Sequence, residues 1–187
     1  VFNDPTLQLL ERPATTLRYL GLNNRFPPLS DPQVRQAIAM GIDRQWLVDN
    51  YGGPNAVVPT HFAPCVIEYG CLGEPWYDFD REAARVLLAE AGYPDGFAVT
   101  LFVSAEVYSE DSWHNDLQFQ LRENLGIDIT IETLEWPAFV ERAGEGDLVG
   151  LFVLGWQTDY PHVTDYLDTH FGSGMTLFGS PYPELEE

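Results

Sequence analysis

Hydrophobic positions along the chain change their spacing several times, and each change marks an element. Val34, Ala37, Ile38 and Ile42 recur at helical spacing behind Ser30-Asp31-Pro32, where Ser30 or Asp31 supplies an N-cap and Pro32 sits in the first turn. Asp43 caps a second, shorter helix over 44–50 that stops at Gly52-Gly53-Pro54. Asp80 caps a third, whose Ala84, Leu87, Leu88 and Ala91 form an i, i+3, i+4, i+7 stripe closed by Gly92 and the turn Tyr93-Pro94-Asp95-Gly96. The period then alternates. Residues 97–103 are a mostly apolar run of strand length, and Trp113, Leu117, Leu121 and Leu125 recur every four residues up to Gly126. Ile127, Ile129 and Ile131 alternate with polar residues as in a half-covered strand, Pro137 opens a short helix with Phe139 and Val140, and 149–154 is again continuously apolar.

Strand, helix, strand, helix, strand is the order of a chain that crosses over between parallel strands. It predicts an α/β fold with a mainly parallel sheet flanked by helices, both faces covered where the strands are wholly apolar. Residues 1–30 read as an irregular or extended crossing segment, with 18–22 as its one strand-like stretch and Pro27-Pro28 as its end. Residues 52–79 form a long loop interrupted by Pro and Gly. At 187 residues the whole chain, 1–187, fits one domain.

Charge narrows the partners. The net charge is −20, from 29 acidic residues against nine basic ones, all of them Arg. Such a surface repels phosphate backbones and anionic lipid heads, which excludes nucleic acid as a partner. High-salt life, codon bias and colloidal solubility all account for the acidity equally well. Hydrophobic residues at 45% and aromatics at 13% exclude a disordered chain. No apolar run approaches the roughly 20 residues that a membrane span needs, so no membrane insertion is expected. Cys65 and Cys71 lie six positions apart in the long loop, without a Cys/His cluster at zinc spacing. They read as a local disulfide worth roughly 2 kcal/mol, with two free thiols as the alternative; a bridge implies an oxidising compartment. The start at Val1, without Met or leader, reads as a cut, any export signal lying outside it.

In open parallel sheets ligands sit beyond the carboxyl ends of the strands. Two segments qualify: 104–108, beginning with Ser104, and 155–161, which places Trp156, Gln157, Asp159 and Tyr160 just before a helix. A carboxylate between two aromatic rings suits an ammonium group, because the rings restrict water and offer π faces. The candidate ligand-binding residues are therefore Asp159, Trp156, Tyr160, Gln157 and Ser104. The competing reading has Asp159 capping the helix that starts near His162 and Trp156 filling the core. No catalytic residue, metal site or cofactor is expected. His61, His114, His162 and His170 form no HExxH pair, no nucleophile elbow is present, and no glycine pattern cradles a phosphate. His162 with Asp165 is the nearest approach to a catalytic pair and reads as a solvated surface pair.

These residues resemble a known family. Tyr19-Leu20-Gly21-Leu22-Asn23, the stretch Pro27-Pro28…Asp31-Pro32-Gln33-Val34-Arg35-Gln36-Ala37-Ile38, Ile42-Asp43-Arg44 and Ala89-Glu90-Ala91-Gly92-Tyr93-Pro94-Asp95-Gly96-Phe97 carry the likeness. So do Gly126-Ile127, Glu135-Trp136 and Gly155-Trp156…Asp159-Tyr160-Pro161. Together, in order from about 19 to about 171, they are similar to the extracytoplasmic solute-binding proteins of peptide and nickel ABC importers, family 5. The resemblance implies a periplasmic-binding-protein-like lobe, the partial second lobe of a two-lobed clamshell, with the first lobe of the same protein and an ABC permease as partners. It implies no turnover, and a place in the periplasm or at the cell surface, with or without a lipid anchor on a preceding segment. The family's peptide binders hold the α-ammonium with the Asp of a Trp-x-x-Asp-Tyr motif, which falls on Asp159. Some also carry a basic residue just before Gly-Trp, where Val153 and Leu154 stand here. Peptides therefore lead as the implied ligand, with oligosaccharides or metal chelates behind; a sensor or interaction domain that reuses the lobe is the alternative to import.

Overall fold

The structure is a computed structural model that describes residues 13–180. Three aspartates start three helices: Asp43 and Asp80 as the sequence predicts, and Asp31 rather than its alternative Ser30. Asp31 accepts a hydrogen bond from the Gln33 amide at the head of α2 (Pro32–Gly41), Asp43 from Trp46 in α3 (Arg44–Tyr51), and Asp80 from Ala83 in α4 (Arg81–Glu90). Each satisfies an amide that the first helical turn leaves unpaired. Pro27-Pro28 do more than end the first segment. They open a four-residue helix, α1 (Pro27–Ser30), since proline lacks only an N–H that the first turn does not use.

Four strands form one sheet in the order β1-β4-β2-β3: β1 (Thr16–Leu22), β2 (Ala98–Ser104), β3 (Asp128–Leu134) and β4 (Leu151–Gln157). β2, β3 and β4 are parallel, joined by the crossover helices α5 (Trp113–Leu125) and α6 (Trp136–Gly144), as the alternating pattern predicts. β1 was expected only as a strand-like stretch of a crossing segment. It is woven into the sheet as an antiparallel edge beside β4, from Thr16↔Gln157 to Leu22↔Leu151. The first twelve residues of the expected crossing segment lie outside the described residues.

Alternation along the strands divides the core in two. Val99, Leu101, Val103, Leu151 and Val153 face α2, α4 and α5, meeting Val34, Ile38, Leu88, Leu117 and Leu121. Phe102, Phe152, Leu17 and Tyr19 face the other way, onto Phe139 and Ala143 of α6 and Tyr166 of α7 (Thr164–Phe171). This second face has fewer helices, and the long loop completes it. Ala63 and Ile67 are buried there, and the Phe62 ring lies 4.9 Å from His170, 5.1 Å from Phe171 and 5.4 Å from Tyr19. Cys65 and Cys71 are disulfide-bonded within it. Through Phe62, Ala63 and Ile67 the loop thus acts as a lid for one sheet face.

Candidate ligand-binding site

The carboxyl ends of β2 and β4 lie side by side, and the segments predicted to carry the site leave from them. β4 ends later than the sequence suggests: Gly155, Trp156 and Gln157 are strand residues, paired with Arg18, Leu17 and Thr16. Gly155 looks like a breaker but serves close approach, since a Cβ there would lie 2.9 Å from the Leu17 carbonyl oxygen. The exposed turn therefore begins at Thr158 and continues to α7.

Asp165 organises this turn. It is 2% exposed, and its carboxylate accepts hydrogen bonds from the Trp156 indole Nε1 (3.3 Å) and from the Asp159 backbone amide (3.0 Å). A buried carboxylate needs such donors, and each charge-assisted bond fixes one part of the site. Trp156 is further held edge-on by the His170 ring at 5.3 Å, while His170 Nδ1 bonds the Tyr166 carbonyl at 2.7 Å. Burial pulls the His170 pKa below its ordinary value, against smaller upward pulls from that carbonyl and from Asp165, so its ring is neutral at neutral pH. Below them Tyr166, fully buried, donates its hydroxyl to the Thr15 carbonyl and bonds the Thr158 hydroxyl, tying the turn to the start of β1.

Asp159 itself is exposed, and its carboxylate has no hydrogen-bond or ion-pair partner among the described residues. It does not cap α7: the residue before that helix is Val163, without a side-chain cap. Tyr160 is 48% exposed, with its hydroxyl 3.3 Å from Thr164 Oγ1. Gln157 is exposed on the opposite face of β4 from Trp156. Trp156 and the Asp159 backbone are thus joined through Asp165, Tyr160 follows on the same turn, and Gln157 is turned to the other face of the strand. Ser104 is not open in the same way. It is 3% exposed and donates its hydroxyl to the Glu106 carboxylate, whose other oxygen accepts from the Trp136 amide at 3.2 Å. The Ser104 hydroxyl leads the causes that hold the Glu106 carboxyl below the usual range. Ser104 thus braces the β2 exit loop against α6.

Asp159 is thus an exposed carboxylate, without a partner among the described residues, on a turn that follows the half-covered Trp156 and carries the exposed Tyr160. His162 Nδ1 lies 2.9 Å from Thr164 Oγ1, whereas the Asp165 carboxylate points to Trp156 and Asp159, so the two do not form a catalytic pair. A shallow depression lined by Arg85, Leu88, Pro94, Asp95, Leu125 and Gly126 lies at the opposite edge, where β2 and β3 begin. Sequence reasoning missed Asp165 and Tyr166 as site-building residues. Their signal was present, since a carboxylate in the first turn of a helix that also carries a buried aromatic is placed to reach back over the preceding loop.

Residues 1–176 match the family described as bacterial extracellular solute-binding proteins, family 5 Middle. The chain belongs to that family. It is 28% identical over 175 residues to heme-binding protein A of Haemophilus influenzae, covering 91% of this chain and 31% of that protein. It is 34% identical over 156 residues to the glutathione-binding protein GsiB of Salmonella typhi, covering 80% and 30%. Among solved structures, HbpA2 of Haemophilus parasuis superposes with a TM-score of 0.80 at 31% identity, covering 95% of this chain and 35% of that one. The periplasmic binding protein DppA of Helicobacter pylori, in complex with peptide STSA, gives 0.75 at 27%, covering 82% and 29%. The chain thus spans about a third of the length of the relatives it matches. These relatives are solute-binding proteins and not enzymes, and the fold is that of a periplasmic-binding-protein lobe. Among the described residues no helix is long and apolar enough to cross a membrane.

Proposed function

We propose that this chain is the ligand-binding lobe of a peptide importer's solute-binding protein. It works outside the cytoplasm, closes on its ligand together with a first lobe of the same protein, and delivers the solute to an ABC permease. In this reading Asp159 holds the α-ammonium of the peptide, and Trp156 and Tyr160 wall the ammonium site. The observation that carries it is the unpartnered Asp159 carboxylate on a backbone pinned by Asp165. A charge left free on a fixed support is preorganised for a charge it has yet to meet, and little ordering entropy opposes binding. The peptide bound to the Helicobacter relative, and the glutathione- and oligopeptide-binding relatives, support the same ligand class.

The test is calorimetry of di- to pentapeptides with the full-length protein that contains this segment, comparing wild type with Asp159→Asn. The substitution keeps shape and removes charge, and should cost about 1.5–3 kcal/mol of binding. Absence of peptide binding by the wild type would bring oligosaccharides and metal chelates forward. Peptide binding unchanged in Asp159→Asn would refute the site.

A further inference from the structure

The lid over the second core carries a cluster that the ammonium site does not use. His61, Cys65 and Cys71 each offer a metal-ligating atom, a ring nitrogen or a sulfur, and these three atoms lie within 4.8 Å of one another. Their spacing, His-x3-Cys-x5-Cys, is not a usual zinc motif, and the sequence alone predicts no metal site there. The folding of the loop makes the cluster. The Trp76 amide donates to the Thr60 carbonyl at 2.7 Å, and the Ile67 and Gly70 amides donate to the Pro64 and Ile67 carbonyls at 3.0 and 2.9 Å, which turns Cys71 back onto Cys65. Gly70 permits that turn, since a Cβ there would run into the Pro64 carbonyl oxygen. Ala63 and Ile67 anchor it in the core beneath. None of these contacts involves sulfur, so the two sulfurs stay neighbours when the disulfide is opened.

His61 is set as a ligand. Its Nε2 lies 3.3 Å from the Gly73 carbonyl, which can only accept, so the proton sits on Nε2 and Nδ1 keeps its lone pair. A carbonyl on the far ring nitrogen is a common outer partner of a ligating histidine. Nδ1 lies 2.9 Å from Thr60 Oγ1, which is itself 3.6 Å from Cys65 Sγ and 4.0 Å from Cys71 Sγ, so the imidazole meets the sulfur pair across one hydroxyl. In a tetrahedral site with Zn–S about 2.3 Å and Zn–N about 2.0–2.1 Å, the donors stand about 3.5–3.8 Å apart, a separation that these three already approach. Both cysteines are exposed, open to a reductant and to a metal ion.

We propose that the dithiol form of this loop holds one thiophilic d10 cation, Zn2+ or Cu+, through Cys65, Cys71 and His61. The lid is then closed by a disulfide when oxidised and by a metal when reduced. Two thiolates and an imidazole select such ions over Mg2+ or Ca2+, which take oxygen ligands. The change is balanced: an external dithiol gives two electrons and two protons to the Cys65–Cys71 bond and leaves as its own disulfide, and the metal then displaces the two thiol protons to solvent. The proposal is independent of the peptide reading, since no residue of the ammonium site takes part.

The experiment titrates Zn2+ into the full-length protein that contains this segment, after reduction and removal of the reductant in the absence of oxygen. With a net charge of −20 on this chain, weak binding to the acidic surface is the background, and the oxidised protein measures it. Reduced wild type should take up one further Zn2+ well above that background, shield both thiols from a thiol reagent, and regain the amide-exchange protection of 60–79 that reduction lowers. His61→Gln keeps both thiols and should weaken Zn2+ by about 100-fold or more, given that even the outer partners of a metal ligand are worth about 10–100-fold. Cys65→Ser should bring binding down to the background, with exchange in β2 unchanged in both variants. Reduced wild type binding Zn2+ no tighter than the oxidised form would overturn the site, and His61→Gln binding as tightly as wild type would overturn the three-ligand assignment.

Discussion

His114 shows how much one residue owes to its surroundings. Its ring is buried under Trp113, and burial, with a smaller contribution from the Arg18 charge, pulls its pKa down to about 4. In the unfolded chain the same ring titrates near 6.5. Between those values the unfolded state binds a proton that the folded state refuses, so stability is full above about 6.5 and falls as pH drops towards about 4. His170 is shifted the same way by burial and adds to the slope. Chemical denaturation at pH 7 and pH 4 should therefore show a loss of stability. In His114→Gln, which does not titrate, that loss should be smaller by about 2–3 kcal/mol; an unchanged slope would refute the neutral buried ring. Asp159 is the opposite case: the sequence offers it as a candidate because Trp-x-x-Asp-Tyr follows an apolar run, whereas the lack of a partner for its carboxylate among the described residues is visible only in the structure.

At the scale of elements, helices were read best. Asp31, Asp43 and Asp80 each cap the helix assigned to them, because a cap is decided within three residues of sequence. Strand ends were read less well: β4 runs on to Gln157 because β1 pairs with it, and nothing in 155–157 itself announces that partner. The long loop belongs to the same class. Its sequence gives proline, glycine and two cysteines, while its task, covering the second core with Phe62, Ala63 and Ile67, depends on a face left bare by distant elements. The disulfide pins this lid rather than the fold. Cys65→Ser should lower stability by about 2 kcal/mol, the chain-entropy value for so short a loop. It should also raise amide exchange in 60–79 while leaving exchange in β2 unchanged. Protection lost equally in both would mean that the loop and the sheet unfold as one unit.

Across the whole molecule the dominant quantity is the net charge of −20. The four ion pairs among the described residues are all partly exposed, so they offset little of the repulsion. Salt shortens the Debye length from about 30 Å at 0.01 M to about 3 Å at 1 M, and screening should relieve the folded state more than the expanded one. The melting temperature should therefore rise with sodium chloride over that range, and more than in sucrose of equal osmolality, which is excluded from the surface but screens nothing. Equal rises in the two would show that repulsion is not limiting.

Local chemistry was the part that the sequence determined alone. Helix starts and the alternation of strand and helix that makes the parallel crossovers follow from neighbours within a few positions. The tertiary structure decided what depends on residues far apart in the chain. The antiparallel edge joins 16–22 to 151–157, Asp165 binds back to Trp156 and Asp159, and Ser104 is turned away by Glu106. The division has a physical reason. Caps and periodicity are satisfied within one segment, whereas a buried polar group takes whichever partner the packing of other segments brings to it, and no local pattern specifies that choice.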